Sequence, residues 1–329
     1  MAVAFVVHPI RWELVPLAAA DPLCRSWLTF QSQRGLSRNT LAAYSRGLEI
    51  FLRFLAAEQL CITSARRSDI GAYLATMQFD SAISNATVQQ RITVLRLFYS
   101  HLVDEGLCSK NPVLHDRGRA LVRRYRRLPW IPNEEDWQAV LTATRGEAIR
   151  NRTMLAFAYD GALRREELCG LRTDDIDPSH RMLRVRAENT KGRRDRSVPY
   201  SATSDRLLQQ YLFHRRALSR SRGPLFLSES RRNYAAPVSI WSWSKTVLKI
   251  ARRAALPRFS THTLRHLCLT DLARAGWDIH EIAAFAGHRS IQTTLLYIHL
   301  SGRDLSQKLA AGMAHIHARR VAMLTEGKV

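Results

Sequence analysis

In its last third the chain reads GHRSIQTTLLYIH over residues 287–299. Glycine tolerates the positive φ at which many helices end, so the apolar run before Gly287 predicts a helix over 278–286 that stops there. His288 then lies in the turn, and Tyr297 lies on the following helix. A lone tyrosine is more often core or surface filler than a nucleophile. These residues therefore indicate chemistry only together with partners elsewhere in the chain.

Two earlier segments carry further groups that bind phosphate or carry protons. One predicted helix, beginning at residue 261, places His262 and Arg265 on the same face. A short helix places Arg164 and Glu167 three residues apart, where the carboxylate can hold the guanidinium in one orientation. By itself such a pair is more often an exposed ion pair. A zinc-protease site is disfavoured, because no glutamate directly follows the first histidine of the helix.

Between these segments the sequence changes from helical to strand periodicity. Alternation over 183–187, a turn over 190–193 and a short strand over 196–199 predict a small antiparallel sheet with Lys191 at a hairpin tip. A hairpin lysine is usually just solvated. The aspartates within residues 174–177 lie in a helix-to-strand connection without a coherent ligand spacing, so we assign them turn roles and predict no metal site.

The composition indicates a polyanionic partner. Fifty Lys and Arg residues against 28 Asp and Glu residues give a formal net charge of +22 over 329 residues, and such a surface would repel itself without a polyanion. No apolar run approaches the ~18 residues of a bilayer span, and the apolar residues 1–7 lack the basic leader of a secretory signal. We therefore expect a cytoplasmic, nucleoid-associated protein with no membrane partner. The five cysteines are scattered singly, which favours reduced core thiols.

The first part of the chain has helical periodicity. Ser37 is a plausible N-cap for a helix with an apolar stripe from Leu41 to Leu55, and a second helix ends at Gly106. Residues 20–112 therefore predict a small all-α bundle that grips DNA. A solvated face would look similar, but the polar face of the second helix has the side-chain types that meet phosphates and base edges: Gln89, Gln90, Arg91, Thr93 and Arg96.

Residues 113–132 are the predicted linker, because prolines and a glycine break the helical periodicity there. A solvated basic linker is the plain alternative. We favour contact with the DNA backbone, since phosphates would condense this run of positive charge and release counterions. The linker arginines assigned to that contact are Arg123, Arg124, Arg126 and Arg127. We expect a second domain over 133–300 and a C-terminal helix within 301–329.

Together these motifs resemble the tyrosine recombinases, also called the phage integrase family. The N-terminal half resembles the core-binding domain of that family, notably Ser37 to Leu55 and Ala86 to Pro112. Two departures are mild: Ala162 stands where the family often has glycine, and the spacer over 222–236 is longer. The matching pieces follow the family's order: Arg164-x-x-Glu167-Leu168, Lys191-Gly192, His262-x-x-Arg265, Gly287-His288, and Tyr297 followed by Ile298-His299.

The resemblance implies the fold and the activity. The fold would be mostly α with a small antiparallel sheet: an N-terminal all-α, SAM-like core-binding bundle and an α+β catalytic domain that form a clamp around DNA. The activity would be that of a site-specific DNA recombinase of the Xer-like or transposon-encoded type. Such an enzyme cleaves and rejoins strands through a 3′-phosphotyrosyl intermediate and requires no cofactor.

The resemblance also implies a role for each matching residue. Arg164 and Arg265 would bracket the non-bridging phosphate oxygens, and Tyr297 would be the nucleophile. Lys191 would protonate the leaving 5′ oxygen. Among the histidines we choose His262 as the base for the phenol, with His288 positioning the phosphate or the phenol. Glu167 would orient the arginines and histidines without carrying a proton.

The expected partners are double-stranded DNA sites, further copies of the same chain and an accessory or directionality factor. In the family a C-terminal segment commonly docks on the neighbouring protomer and gives a cyclic tetramer on two DNA sites, and we expect the same of residues 301–329. Two alternatives remain: strand relaxation of the type IB topoisomerase kind, and a non-catalytic DNA-binding relative. A DDE-type transposase is disfavoured because we find no set of three metal-binding carboxylates.

Overall fold

The structure, a computed structural model, describes residues 7–79, 83–113, 128–190 and 194–300, together with residues 310, 312 and 313. Contacts divide the chain into two compact units, Met1–Arg126 and Arg127–Val329. Within the described ranges every helix is too short or too polar to cross a lipid bilayer.

The first unit is a helical bundle, as the sequence predicts. Serine side chains cap its two longest helices: Ser37 accepts a hydrogen bond from the Thr40 amide, and Ser84 accepts one from the Thr87 amide. Aromatic side chains such as Trp27 fill its core. Its α-helices are α1 (Pro16–Ala20), α2 (Pro22–Gln33), α3 (Arg38–Ala57), α4 (Arg67–Phe79) and α5 (Asn85–Asp104).

The second unit combines helices with a three-stranded antiparallel sheet of order β1-β2-β3, which confirms the predicted fold class. Leu183 and Val198 are paired across β2 and β3, and both are buried in the main core. The strands are β1 (Ile176–Asp177), β2 (Met182–Val185) and β3 (Arg196–Pro199). The helices are α6 (Glu134–Arg145), α7 (Ile149–Asp160), α8 (Arg165–Cys169), α9 (Ala202–Leu218), α10 (Ile240–Arg253), α11 (Thr261–Arg274), α12 (Ile279–Ala286) and α13 (Ile291–Leu300).

The strand predicted over 183–187 is shorter in the structure and ends at Val185. Arg186 leaves the ladder because its Nε donates a hydrogen bond to the buried Asp175 carboxylate at 2.5 Å. The next residues form a short 3₁₀ turn, whose first amide donates to Asp195. The alternating residue types therefore predicted too long a strand, because the buried carboxylate of Asp175 binds Arg186 outside the sheet.

Helix α11 contributes side chains to two apolar clusters. Leu264 belongs to the main core of the second unit, whereas Cys268 and Leu269 belong to a smaller cluster that also contains Tyr297. We call this smaller cluster the tyrosine core; its buried members are Ala162, Cys268, Leu269, Ala273, Ile282, Ala286 and Tyr297. Helix α11 is thus anchored in both clusters, which keeps the polar residues of its first two turns in place.

Candidate active site

The first arginine of the site is positioned by the start of α8. Arg164 is the N-cap residue of this helix, and Glu167 closes the first turn by accepting hydrogen bonds from the Arg164 amide at 2.9 Å and from its Nη1 at 2.8 Å. Arg164 keeps 24% of its side chain exposed, whereas Glu167 is buried. The predicted i,i+3 pair is therefore a half-buried pair with one open side.

Glu167 is shared with a second arginine that the sequence did not single out. Arg196 on β3 donates to both carboxylate oxygens, from Nη1 at 3.0 Å and from Nη2 at 2.7 Å. Burial by itself would raise the pKa of Glu167, but the hydrogen bonds and charge of Arg196 and Arg164 outweigh it and lower the pKa to about 2. Glu167 is therefore a fixed anion at neutral pH, which suits a supporting residue.

Arg265 is almost completely buried and is held by two backbone carbonyls. Its Nη1 donates to the Ala162 carbonyl at 2.5 Å and its Nη2 to the Ala286 carbonyl at 2.6 Å. Burial and the charge of Arg164 lower the pKa of Arg265 to about 10, so the group stays charged at neutral pH. Two carbonyls use only part of a guanidinium's five N–H donors, which leaves donors for an anion.

Glu167 forms ion pairs with Arg164 and Arg196, and its charge also acts on Arg265, so one carboxylate stands against three guanidinium groups. Two positive charges of this network are therefore uncompensated by it. A buried or half-buried excess of positive charge is costly unless an anion completes it. A phosphate diester, which carries one negative charge, would neutralise one of these positive charges, and the other could stabilise the negative charge that develops on its oxygens during cleavage.

His288 lies in the turn after α12, as predicted, because Gly287 adopts φ +64° and ends that helix. Its Nδ1 is 2.9 Å from the buried Thr294 hydroxyl, which orients the imidazole ring. The ring stacks on Tyr297, with centroids 6.0 Å apart and planes 6° from parallel. Burial, followed by the charges of the nearby arginines, lowers the pKa of His288 to about 3, so this imidazole is neutral at physiological pH.

Tyr297 lies on α13 with only 2% of its surface exposed, inside the tyrosine core. Its hydroxyl is 2.9 Å from Nδ1 of His266. Burial raises the pKa of Tyr297, while the charges of Arg265 and Arg164 act in the opposite direction. The phenol is thus brought beside both predicted phosphate-binding arginines of its own chain.

His262 is exposed on the first turn of α11. Partial desolvation of its ring, followed by the charges of Arg165 and Arg265, lowers its pKa, although Glu166 acts in the opposite direction. Across the described ranges, the histidine that hydrogen-bonds Tyr297 is His266, one helical turn later. The role of His262 as the base stays a prediction. Lys191 lies outside the described residues.

The predicted DNA-contact face of α5 divides into two groups. Gln90 and Arg96 are exposed, whereas Gln89, Arg91 and Thr93 are half-buried. The Thr93 hydroxyl donates to the Gln89 carbonyl at 2.8 Å, and Arg96 Nη2 lies 3.4 Å from the Thr93 hydroxyl. The outer residues are therefore the ones free to reach a ligand. The predicted linker contacts Arg123, Arg124, Arg126 and Arg127 lie outside the described residues.

Sequence reasoning missed Arg196, His266 and Thr294 as members of this site. A signal existed for His266, because it follows Arg265 directly and lies four residues after His262, on a neighbouring part of the same helical face. Arg196 and Thr294 give no such local signal, since their partners are 29 and 6 residues away in the chain. In the part of the chain that the structure describes, no group of three His, Cys, Asp or Glu side chains is placed to hold a metal ion.

Comparison with known proteins identifies the family. Residues 133–303 match the model described as the phage integrase family, and residues 26–106 match the phage integrase N-terminal SAM-like domain. The tyrosine recombinase XerC of Pelobacter propionicus is 33% identical over 83% of this chain and 89% of its own length. The tyrosine recombinase XerD of Ralstonia nicotianae is 30% identical over 88% of this chain and 93% of its own length.

Solved structures support the same fold. The XerH site-specific recombinase, in a post-cleavage complex with a palindromic difH substrate, covers 93% of this chain with a TM-score of 0.73 at 18% identity. The Tn1549 transposon integrase, in complex with transposon right-end DNA, covers 88% with a TM-score of 0.68 at 19% identity. The family match and the relatives at 30% identity or more indicate an enzyme that cleaves and rejoins DNA strands. The chain belongs to the phage integrase family, the tyrosine recombinases.

Proposed function

We propose that this chain is a site-specific DNA recombinase that uses Tyr297 to cleave DNA and to rejoin it to a new strand. The observation that supports this most directly is the convergence of Tyr297, Arg164 and Arg265. Burial raises the pKa of the phenol, and both guanidinium groups lie close enough for their charges to oppose that rise. That arrangement pairs a nucleophile with the cations that its phosphate target requires.

The arginines are proposed to bind the phosphate that is cleaved. Attack at phosphorus adds negative charge to the two non-bridging oxygens, and guanidinium groups bind such oxygens through paired, charge-assisted hydrogen bonds. Arg164 has an open side, and Arg265 is fixed by two carbonyls. Because these donors are already in place, little reorganisation is needed when the charge develops.

The cleavage step balances without a cofactor. The Tyr297 oxygen forms a bond to phosphorus, and the bond between phosphorus and the 5′ oxygen breaks. In this proposal His262 takes the phenol proton, Lys191 supplies a proton to the leaving 5′ oxygen, and His288 holds the phosphate or the phenol in place. The 3′-phosphotyrosyl link retains the bond energy, so the 5′ hydroxyl of another strand can reverse the step without ATP.

A Tyr297→Phe variant tests the nucleophile. On a nicked duplex, the short fragment that bears the new 5′ hydroxyl diffuses away after cleavage and cannot be rejoined. The unaltered protein should therefore accumulate a covalent protein–DNA complex. The variant should bind the same duplex with similar affinity and form no such complex. Covalent trapping that persists in the variant would overturn the assignment of Tyr297.

We also propose that four copies act together on two DNA sites, with residues 301–329 of each chain docking on a neighbour and an accessory factor setting the direction. Coiled or helical tails that exchange between identical chains give closed assemblies of this kind. Deleting the residues after Ser301 should leave binding to a single site intact and abolish pairing of two sites. Recombination at the unaltered rate in that variant would contradict the docking role.

A further inference from the structure

The hydroxyl of Tyr297 has a defined partner on α11. The Nδ1 atom of His266 lies 2.9 Å from the phenol oxygen, and the two rings are 5.7 Å apart with an angle of 36° between their planes. Since Tyr297 is 98% buried, its hydroxyl cannot rely on bulk water for a hydrogen bond. The direction of the phenol O–H bond is therefore set by the protein.

His266 is itself held in place. It follows Arg265 directly on α11, and its backbone carbonyl accepts a hydrogen bond from the Thr270 hydroxyl at 2.8 Å. Cys268 and Leu269, the next residues of the helix, are buried in the tyrosine core with Tyr297. The same helix thus carries the buried arginine and the histidine, and it packs against the helix that carries the phenol.

The surroundings of His266 keep its imidazole uncharged, so that it can accept a hydrogen bond from the phenol. Burial, followed by the electrostatic effects of the neighbouring His262 and Arg265, lowers the pKa of His266 to about 4. At neutral pH the imidazole is therefore uncharged, and one of its nitrogens has a free lone pair. The other groups that act on the phenol are Arg265, Arg164 and Cys268, and His288 stacks on its ring.

We propose that His266 is a positioning residue for cleavage: its Nδ1 accepts the hydrogen bond of the Tyr297 hydroxyl and so turns the lone pairs of the phenol oxygen toward the phosphate held by the arginines. A group with such a weak affinity for protons is a poor final acceptor for the proton of a phenol, whose ordinary pKa is about 10. His266 therefore orients the nucleophile before cleavage, and the phenol proton leaves this hydrogen bond for His262, the proposed base, as the bond to phosphorus forms. This inference rests on the proposed function of Tyr297.

Two substitutions of similar polarity separate orientation from folding. In His266→Asn the amide can reach the place of Nδ1 and keep the hydrogen bond, whereas in His266→Gln the longer side chain carries its amide to the place of Nε2. The control is His280→Asn, which removes an exposed imidazole from α12. If cleavage requires a hydrogen-bonding atom at the place of Nδ1, activity should be highest in His280→Asn, lower in His266→Asn and lowest in His266→Gln.

The assay uses a nicked duplex built on a site that the unaltered protein has selected from fragmented genomic DNA, as found by sequencing its covalent adducts. We expect single-turnover cleavage at saturating protein to fall on the order of 100-fold in His266→Gln and less than about 10-fold in His266→Asn. DNA binding should stay within about twofold for both variants, because the contact is made inside the protein. Equal rates for His266→Gln and the unaltered protein would overturn the proposal.

A second substrate locates the defect on the nucleophile side. When sulfur replaces the bridging 5′ oxygen, the leaving thiolate needs no proton, so loss of the proposed general acid in Lys191→Ala should be relieved. The His266→Gln defect should persist on this substrate. Relief of the His266→Gln defect would also overturn the positioning role. If the unaltered protein forms no covalent complex on either substrate, the proposed function itself fails, and the role of His266 fails with it.

Discussion

Arg196 joins parts of the site that are far apart in the chain. Its guanidinium binds both oxygens of Glu167 through Nη1 and Nη2, and its Nε donates to the Phe285 carbonyl at 3.0 Å. The next carbonyl of α12, that of Ala286, accepts from Arg265. One side chain thus fixes both the acid that orients Arg164 and the end of the helix that orients Arg265.

Replacing Arg196 should therefore reduce both stability and cleavage. In Arg196→Met the buried Glu167 would keep only Arg164 as a charged partner, and breaking a buried pair in this way costs about 3–5 kcal/mol. Arg196→Lys keeps the charge but loses the planar fork, so we expect a smaller loss of stability with a clear loss of cleavage. Urea unfolding and cleavage of a nicked duplex measure the two effects.

Arg184 on β2 is the matched control, because its ion pair with Asp195 is exposed on both sides, with 59% and 45% of the two side chains accessible. Exposed pairs of this kind contribute about 0–1 kcal/mol. Arg184→Met should leave the free energy of unfolding almost unchanged. If Arg196→Met and Arg184→Met had equal effects, the network around Glu167 would not have the importance assigned to it.

The buried histidines predict how stability depends on pH. In the folded protein the pKa of His288 is lowered to about 3 and that of His266 to about 4, whereas an unfolded histidine has a pKa of about 6.5. Between these values the unfolded chain binds more protons than the folded chain. As far as these two histidines are concerned, the folded state therefore has its full stability above about pH 6.5. Its free energy of unfolding decreases progressively as the pH falls toward about 3–4.

Thermal unfolding measured from pH 7.5 to pH 4 checks this sign. The melting temperature should decrease as the pH is lowered. His288→Asn should make the melting temperature less dependent on pH because it removes one titrating group. His280→Asn, which removes an exposed imidazole, serves as the control and should keep the slope. Parallel curves for His288→Asn and the unaltered protein would contradict the assignment.

At the scale of the element, the end of α12 depends on Gly287. The residue adopts φ +64°, a conformation that costs a residue with a side chain about 1–2 kcal/mol. A Cβ atom there would also lie 3.1 Å from Nη1 and 3.2 Å from Cδ of Arg196. The glycine is thus required twice, by its own backbone and by the arginine that packs against it.

Gly287→Ala should therefore lower both the free energy of unfolding and the rate of cleavage. Gly276, which follows α11, provides the comparison, because it has φ +84° but open space around the position of a Cβ. Gly276→Ala should show the backbone cost alone, about 1 kcal/mol. We expect Gly287→Ala to cost more than Gly276→Ala and to reduce cleavage at least tenfold. Equal losses for the two variants would show that displacement of Arg196 is unimportant.

Local rules account for much of the fold and for less of the site. The cap at Ser37 and the helix end at Gly287 follow from interactions within one turn of helix, and the structure confirms both. The strand end at Val185 depends on a carboxylate eleven residues from Arg186, and the alternating pattern did not predict it. The contact of Arg196 with Phe285 spans 89 residues. Such pairings depend on tertiary packing, which residue spacing does not specify.

At the scale of the whole molecule, internal ion pairs account for several of the buried acidic groups. Glu49 pairs with Arg53, Glu147 with Arg253 and Glu167 with Arg196. These carboxylates neutralise cations inside each unit and leave the formal net charge of +22 to the rest of the chain. A polyanion is therefore the natural counterpart of the surface, and the strength of its binding should depend on salt.

Arg96 tests whether the exposed face of α5 takes part in that binding. If its guanidinium contacts a DNA phosphate, Arg96→Gln should weaken binding to all sequences by a similar factor and reduce the slope of log affinity against log salt by about 1. A base contact at this position would instead relax specificity at one base pair and cost about 1–3 kcal/mol there. Arg206→Gln removes the same charge from an exposed position on α9 and should change the slope much less.

Fluorescence anisotropy with a selected site and an unrelated duplex, from about 50 to 200 mM salt, separates these outcomes. Equal slopes for the two variants would exclude a direct phosphate contact by Arg96 and leave only the general attraction of a basic protein for DNA.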